Sequence, residues 1–210
     1  MPGLRSNMLI GQPVYWLRIT SVRRHTLLRK ELPGSPRDNS YWADIISPCY
    51  LCSVPEIILI IHNVRSAHNV GSMFRTADAA GVSKVYLTGY TPSPIDRFKR
   101  PQKEIAKTAL GAELTMPWEV HASIDEVIHA LQESGVCVVA LEQNPAAIDF
   151  RTLQVTQKMA LVVGNEVDGV DADTLALCDH IVHIPMYGTK ESLNVSVAAG
   201  IALFQLRSAA

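Results

Sequence analysis

Three segments of the chain place glycine beside polar or charged side chains at the point where an apolar run ends. They are residues 62–75, 164–169 and 184–196. Parallel α/β sheets bind ligands in the loops that follow the carboxyl ends of their strands, so these loops are the first place to look for a site. Their order along the chain allows one sheet to bring all three together.

The first segment offers a place for an anion at the start of a predicted helix. Asn69 could cap that helix, whose free N–H groups favour negative charge. Gly71 and Arg75 are four residues apart and share a face. The glycine would therefore leave room for a phosphate or a ribose beside the guanidinium. The alternative is an ordinary surface pair between Arg75 and Asp78.

The second segment is a tight turn framed by Gly164 and Gly169. Two glycines in such a turn leave backbone amides exposed, and Glu166 adds a carboxylate between them. The alternative is a plain connector between a strand and a helix.

The third segment joins the end of a strand to the last helix. Pro185 ends the strand and lets the backbone curve. Ser192 or Asn194 then offers a hydroxyl or an amide at the entrance of the helix. A capped helix after a loop is the alternative.

The elements that would position these loops alternate between strand and helix. Apolar runs predict strands at residues 57–61, 84–88, 136–141, 160–163 and 181–184. Capping residues and glycines predict helices from Asn69 to Gly81, over 104–110, from a Ser123/Glu126 capping box to Gly135, from Asp171, and over 195–206. This alternation predicts an α/β fold, with a mostly parallel sheet and helices on both of its faces.

The last predicted helix carries an apolar stripe. Leu193, Val197, Ile201 and Phe204 recur at helical spacing. We expect this stripe to be buried against the sheet.

Charge divides the chain into two parts. Residues 1–54 carry seven Lys/Arg and three Asp/Glu, a net +4, whereas residues 55–210 carry twelve and seventeen, a net −5. The first part is interpreted as a basic N-terminal extension of unknown role and the second as the main domain. The extension suits an organelle transit peptide or a flexible basic arm, although an appendage without chemistry is favoured. A cytoplasmic protein is expected, with an organelle as the alternative.

Several kinds of site are not predicted. The chain has no G-x-G-x-x-G, no G-x-x-x-x-G-K-[ST] and no G-x-S-x-G pattern. Cys49 and Cys52 have no second Cys or His pair at a matching spacing, so no metal is predicted. No apolar run approaches the ~20 residues of a membrane-spanning helix.

One basic run stands out in the acidic main domain. It comprises Arg97, Lys99, Arg100, Lys103 and Lys107. It is either a solvated face or a loop that grips phosphates beside the site.

Together the three segments resemble the signature motifs of the SpoU/TrmH branch of the SPOUT methyltransferases. Asn69-x-Gly71-x-x-x-Arg75 is similar to motif one and Gly164-x-Glu166-x-x-Gly169 to motif two, and motif three is matched by Ile184-Pro185-Met186 with Ser192-Leu193-Asn194-Val195-Ser196. Each motif is weak alone, but their order and spacing make the combination specific. The resemblance covers roughly residues 56–207.

The resemblance implies an RNA ribose 2′-O-methyltransferase that uses S-adenosylmethionine and acts on tRNA or rRNA. It also implies a C-terminal trefoil knot and a homodimer with sites near its interface. By motif match or position, the implied catalytic residues are Arg75, Asn69, Glu166 and Asn194, the cofactor-binding residues are Leu141, Gly164, Ile184, Met186, Ser192 and Leu193, and the RNA-binding residues are Arg97, Lys99, Arg100 and Lys103.

Arg75 matches the catalytic arginine of the family. A ribose hydroxyl is a poor nucleophile, so the protein must assist it. A charged guanidinium accepts no hydrogen bond. Arg75 would therefore either lose its proton transiently in a phosphate-bound site, or orient the ribose and stabilise developing charge.

Two other functions remain open at this point. One is a non-catalytic RNA-binding relative of the same fold, against which the intact Arg75, Glu166 and Asn194 argue. The other is an unrelated nucleotide-binding oxidoreductase, which the missing glycine fingerprints disfavour.

Overall fold

The computed structural model describes residues 54–209. The strands are β1 (Glu56–His62), β2 (Lys84–Thr88), β3 (Trp118–His121), β4 (Cys137–Leu141), β5 (Ile148–Asp149), β6 (Lys158–Val163) and β7 (His180–His183). The helices are α1 (Ala67–Ala80), α2 (Lys103–Ala109), α3 (Ala112–Thr115), α4 (Ile124–Glu133), α5 (Ala172–Leu177) and α6 (Val195–Ser208).

The seven strands form one sheet in the order β3-β2-β1-β6-β4-β7-β5. Every neighbouring pair is parallel, which confirms the predicted α/β class with a parallel sheet. In the centre, β1 lies beside β6 with Ile61 opposite Val163. The two strands therefore end at the same height, and the loops that follow them start side by side.

Helices cover both faces of the sheet, as the sequence predicts. On one face, Phe74 of α1, Ile105 of α2 and Leu203 of α6 belong to a single buried cluster with the strands. On the other face, Ile128 of α4 packs with residues of β1, β4 and β6, and Leu175 of α5 lies against the same cluster. The trefoil knot implied by the family resemblance stays a prediction.

The predicted start of α1 was wrong by one turn. Its cap is Ser66, whose side chain accepts a hydrogen bond from the Asn69 backbone at 3.3 Å. Asn69 lies inside the first turn, and its side chain is used elsewhere. Ser123 does precede α4, but it makes no capping hydrogen bond, so the predicted capping box is absent.

The predicted burial of the α6 stripe was also wrong. Leu193, Val197, Ile201 and Phe204 are 38%, 50%, 40% and 50% exposed. The neighbouring face of α6 supplies the buried residues Ala199, Ala202, Leu203 and Leu206. Both faces of this helix are apolar, so periodicity alone does not identify which one meets the sheet.

Some elements were missed, and some expectations lie outside the described residues. The edge strands β3 and β5 were not predicted because they are short and partly exposed. The expectations for residues 1–53 fall outside the described range, as do Cys49 and Cys52. Within residues 54–209, no helix has both the length and the apolar character needed to cross a membrane.

Arg207 ties the end of the last helix to the start of the domain. Its guanidinium donates hydrogen bonds to the carbonyl oxygens of Ala80 at 2.8 Å, Gly81 at 2.5 Å and Pro55 at 2.8 Å. Burial lowers the pKa of this guanidinium below its ordinary value. The cation lies at the C-terminus of α1, where the helix dipole favours positive charge.

We expect Arg207→Met to lower the free energy of unfolding by about 1–3 kcal/mol. Methionine keeps the apolar stem, but it leaves three carbonyl oxygens without their donor. Urea denaturation measures the change, with Arg97→Met as the control because Arg97 makes no hydrogen bond to backbone within residues 54–209. Equal stability of the two variants would contradict a structural role for Arg207.

Candidate functional site

The three motif segments follow the two central strands, β1 and β6, and the strand β7, which lies next to the edge strand β5. Residues 63–66 follow β1, residues 164–170 follow β6 and residues 184–194 follow β7. Since all strands are parallel, these loops meet at one edge of the sheet. The sheet thus brings the segments together as the sequence predicts.

Glu166 holds the loop after β6 against the start of α1. Its Oε2 accepts the backbone N–H of Arg65 at 3.0 Å, and its Oε1 accepts that of Ser66 at 3.1 Å. Oε1 also accepts a hydrogen bond from Asn69 Nδ2 at 3.0 Å. One carboxylate therefore satisfies backbone donors at a helix start, where negative charge is favoured.

The pKa of Glu166 lies below its ordinary value. Partial burial acts to raise it, but the hydrogen bonds from Arg65, Asn69 and Ser66 outweigh burial because they favour the charged form. The carboxylate is consequently ionised at neutral pH. Its stabilising contacts are complete above the ordinary pKa and are lost as the pH falls through the lowered one.

Asn69 connects motif two to motif three. While its Nδ2 bonds Glu166, its Oδ1 accepts a hydrogen bond from Asn194 Nδ2 at 3.2 Å. Asn194 caps α6, since its Oδ1 accepts both the backbone N–H of Ser196 at 2.9 Å and the Ser196 hydroxyl at 2.7 Å. The side chains of Glu166, Asn69 and Asn194 form one continuous chain of hydrogen bonds.

Several backbone amides of the glycine turn after β6 are used in hydrogen bonds within the turn itself. The backbones of Asn165 and Gly169 exchange two hydrogen bonds of 3.0 Å, and Asn165 Oδ1 accepts the N–H groups of Val167 and Asp168. The prediction that the turn leaves its amides exposed was therefore wrong in part. A side chain at Gly164 would collide with the Gly169 carbonyl, which explains why a glycine stands there.

Two residues of this region were missed from the sequence. Asn165 is buried and donates hydrogen bonds from its Nδ2 to the Asn63 carbonyl and the Tyr90 hydroxyl. Glu142, directly after β4, accepts the N–H of Val170 at 2.8 Å. Both fix the turn, and only the position of each residue after a buried strand signals it in the sequence.

A pocket of about 190 Å³ opens between the loops after β4, β6 and β7. Five of the six predicted cofactor-binding residues line it, namely Leu141, Gly164, Ile184, Ser192 and Leu193. Met186, the sixth, is half-buried and is not among the lining residues. Gln143 helps to shape the pocket, because its Nε2 donates to the Ile184 carbonyl at 2.8 Å.

The pocket is acidic. Glu142, Glu166 and Asp168 contribute carboxylates, and none of the described residues that line it is lysine or arginine. Its lining also includes the apolar side chains of Leu141 and Leu193. Such a pocket suits a ligand that combines positive charge with an apolar or aromatic part. Within residues 54–209, no group of three or more His, Cys, Asp or Glu is arranged to hold a metal ion.

Arg75 stands apart from the hydrogen-bonded chain. Its side chain is exposed on α1 and makes no ion pair or hydrogen bond within residues 54–209, so the alternative pairing with Asp78 is absent. The space predicted beside Gly71 is also absent, since a side chain there would collide with the Ile105 carbonyl and the Thr108 hydroxyl of α2. Gly71 serves the close packing of α1 on α2, while the guanidinium of Arg75 is free to meet a ligand.

The predicted basic run is divided between the loop that joins β2 to α2, which holds Arg97, Lys99 and Arg100, and α2 itself, which holds Lys103 and Lys107. Arg97, Lys99, Arg100 and Lys103 are all exposed. Arg100 pairs with Asp96 at 2.8 Å, whereas the other three make no ion pair within residues 54–209. The base of the loop is anchored to the site through the hydrogen bond between Tyr90 and Asn165.

Comparison with known proteins gives one family and a set of relatives. Residues 56–204 match the SpoU rRNA Methylase family. The 23S rRNA (guanosine-2′-O-)-methyltransferase RlmB of Neisseria meningitidis serogroup B is 34% identical over 155 residues, which are 74% of this chain and 59% of that protein. The tRNA (guanosine(18)-2′-O)-methyltransferase of Escherichia coli K12 is 31% identical over 151 residues, 72% of this chain and 62% of that protein.

A solved structure shares the fold. The AdoMet-bound rRNA methyltransferase from Sinorhizobium meliloti aligns with a TM-score of 0.66 at 30% identity, covering 73% of this chain and 56% of that one. The chain spans about three fifths of the length of the curated relatives described above.

We expect Glu166→Ala to expose the backbone amides of Arg65 and Ser66. Loss of their acceptor should speed hydrogen exchange at these two amides by about five-fold, the equivalent of one ordinary hydrogen bond. NMR-detected exchange measures this, and Glu133→Ala is the matched control because Glu133 is exposed and accepts no hydrogen bond from another residue's backbone within residues 54–209. Unchanged exchange in Glu166→Ala would show that the carboxylate does not hold the loop.

Proposed function

Because the chain belongs to the SpoU rRNA Methylase family, we propose that it methylates a ribose 2′-hydroxyl of RNA with S-adenosylmethionine as the methyl donor. Membership confirms the predicted SpoU/TrmH resemblance and decides against the nucleotide-binding oxidoreductase. The observation that carries the proposal is the chain of hydrogen bonds from Glu166 through Asn69 to Asn194, which joins three distant motifs beside one pocket. The combination of these hydrogen bonds with an Arg75 side chain that is unpaired within residues 54–209 favours an enzyme over a non-catalytic relative.

The pocket fits S-adenosylmethionine in its chemistry. Leu141, Ile184 and Leu193 offer apolar surface for an adenine ring. Glu142 and Asp168 provide negative charge for a ligand that carries a sulfonium and an ammonium group. The similar Sinorhizobium meliloti structure is described as AdoMet bound, which supports the same cofactor here. When bound, this cofactor supplies a methyl group already activated by the sulfonium.

The roles of the lining residues follow from their positions. Gly164 lets the two ends of the turn after β6 approach closely, and Ser192 offers a hydroxyl in the pocket lining. Glu166, Asn69 and Asn194 hold the three loops together and so position the pocket. Met186 is left out of the proposal because it lies outside the pocket lining.

Arg75 would act on the ribose. Its guanidinium carries no ion pair within residues 54–209, so it is available to bind an RNA phosphate or the ribose itself. It then either orients the 2′-hydroxyl and stabilises the charge that develops on it, or gives up its proton transiently to take the hydroxyl proton. In both cases the group acts on the substrate rather than on the cofactor.

The proposed substrate is ribosomal or transfer RNA. One relative is named for 23S rRNA and another for tRNA, and both names specify a guanosine 2′-O position. The exposed cations Arg97, Lys99 and Lys103, in the loop before α2 and at its first residue, add charge complementarity to a phosphate backbone. These observations support RNA as the substrate class.

A homodimer is the proposed assembly. Leu193, Val197, Ile201 and Phe204 form an exposed apolar surface along α6, and surfaces of this kind mark interaction sites. The same surface on a second copy is a complementary partner in a two-fold dimer. Since α6 packs on α1 near Thr76, such a partner would lie close to Arg75.

Purified protein should transfer labelled methyl groups from S-adenosylmethionine to unmodified rRNA or tRNA, and the labelled linkage should resist alkaline hydrolysis. Arg75→Ala should lower transfer by about a hundred-fold or more, because the assistance to the hydroxyl is lost. Its affinity for S-adenosylmethionine, measured by calorimetry, should stay nearly unchanged. Lys158→Ala, at the opposite end of the sheet, is the control.

Two outcomes of this assay count against the proposal. Absence of transfer to either RNA by the wild-type protein would overturn the function. Substantial turnover by Arg75→Ala would overturn the role of Arg75 alone.

The dimer is tested by placing a charge within the α6 surface. Ile201→Asp should convert the dimer to a monomer, since a buried unpaired carboxylate is costly at an interface. Light scattering after size exclusion measures the mass. Leu114→Asp, on an 81% exposed residue of α3, should leave the dimer intact. A monomeric wild-type protein, or equal effects of the two variants, would contradict the proposed interface.

A further inference from the structure

The loop between β2 and α2 carries an exposed aromatic ring that the proposed reaction does not use. We propose that Phe98, with Arg97 and Arg100, binds an unpaired nucleobase of the RNA substrate by stacking. This rests on the proposed function for the identity of the polymer, and it narrows the substrate to RNA that is single-stranded near the methylated ribose.

Phe98 lies at the surface close to two arginine side chains. Its side chain is 61% exposed although phenylalanine is an apolar residue. The guanidinium of Arg97 lies 4.7 Å from the ring centroid and that of Arg100 lies 4.9 Å from it. The ring and the two guanidinium groups are planar groups on which a base can stack, and the remaining exposure of the ring leaves room for one.

Hydrogen bonds within the turn hold the backbone that carries Phe98. Asp96 Oδ1 accepts the N–H groups of Phe98 at 2.8 Å and Arg100 at 2.9 Å. The Asp96 backbone also bonds that of Arg100, and Ile95 pairs with Pro101 to close the loop. These bonds order the backbone that carries Phe98 before any ligand arrives, which lowers the entropy cost of binding.

The turn also contains a backbone conformation that most residues avoid. Lys99 has a φ of 60°, in the left-handed region. This conformation reverses the chain directly after Phe98 and leaves the ring at the tip of the turn.

The cations of the loop differ in whether a carboxylate neutralises them. Arg100 is neutralised by Asp96, so its guanidinium serves mainly as a planar surface beside the ring. Arg97 and Lys99 have no carboxylate partner within residues 54–209, and they are available to phosphates. Proteins that bind single-stranded nucleic acid combine aromatic rings, on which bases stack, with cations that contact the phosphate backbone. Duplex bases are already stacked on one another and cannot use Phe98.

The loop opens on the same edge of the sheet as the pocket. Tyr90, at its start, donates its backbone N–H to Asn63 and its hydroxyl contacts Asn165. Thr91 bonds the Ile61 carbonyl at the end of β1. The start of the loop is therefore tied to the ends of β1 and β6, and under the proposal an unpaired base near the methylated ribose stacks on Phe98.

Phe98→Leu and Phe98→Trp distinguish stacking from simple apolar contact. The probe is an RNA hairpin with 2-aminopurine in its unpaired loop, compared with a duplex of the same length that carries 2-aminopurine in a pair. Leucine should weaken hairpin binding by about ten-fold and abolish the fluorescence quenching, whereas tryptophan should preserve both. Binding of the duplex should not change.

The salt dependence of RNA affinity distinguishes the contribution of the Phe98 ring from that of the cations. Arg97→Ala should reduce the slope of log affinity against log salt by about one unit, because one phosphate contact is lost. Phe98→Leu should leave that slope unchanged. Equal hairpin affinity of the leucine variant and the wild type would overturn the proposal, and so would an equal loss on duplex RNA.

The same variants distinguish a failure of the stacking proposal from a failure of the proposed methyltransferase function. If wild-type protein methylates RNA and Phe98→Leu has an unchanged KM for it, the stacking proposal fails while the function stands. If wild-type protein transfers no methyl group but quenching still depends on Phe98, the function fails while the binding site stands.

Discussion

The hydrogen bonds around Glu166 are the constraint on which the site depends. This one carboxylate satisfies two backbone amides at the start of α1 and the side chain of Asn69, which in turn holds Asn194 at the start of α6. The partners are 97 to 125 residues apart in the chain. No local segment can form any part of this chain by itself, so the site exists only when the central strands are in register.

The register of β1 and β6 supplies that condition. Their parallel pairing runs from Glu56 opposite Lys158 to Ile61 opposite Val163, and every one of these residues except the first pair is buried. A shift by one residue would turn each side chain to the other face of the sheet and would disturb the packing of both apolar cores. The hydrophobic cores therefore fix the height of the two loops, and Glu166 reaches the amides of α1 because of that height.

The sequence predicts the sheet and the identity of the site more readily than the details of contact. Apolar runs identify the buried strands, because both faces of the sheet are covered. Glycine near Glu166 or Asn69 marks the loops that contribute to the site. The exposed stripe with Ile201 could not be foreseen, because α6 is apolar on two faces and only packing selects one. The space beside Gly71 could not be judged from the sequence for a similar reason, because it is filled by α2, which is distant in the sequence and is placed there by packing.

Negatively and positively charged side chains lie in different parts of the site. The pocket collects the carboxylates of Glu142, Glu166 and Asp168, while the exposed cations stand outside it on Arg75 and on the loop around Phe98. A phosphate backbone is repelled from the pocket and attracted to its surroundings, whereas a cationic cofactor experiences the opposite field. Under the proposed function, this charge pattern favours the cofactor in the pocket and the phosphates outside it. The ribose 2′-hydroxyl is uncharged, so its approach to the methyl group at the mouth of the pocket is not opposed by the carboxylates.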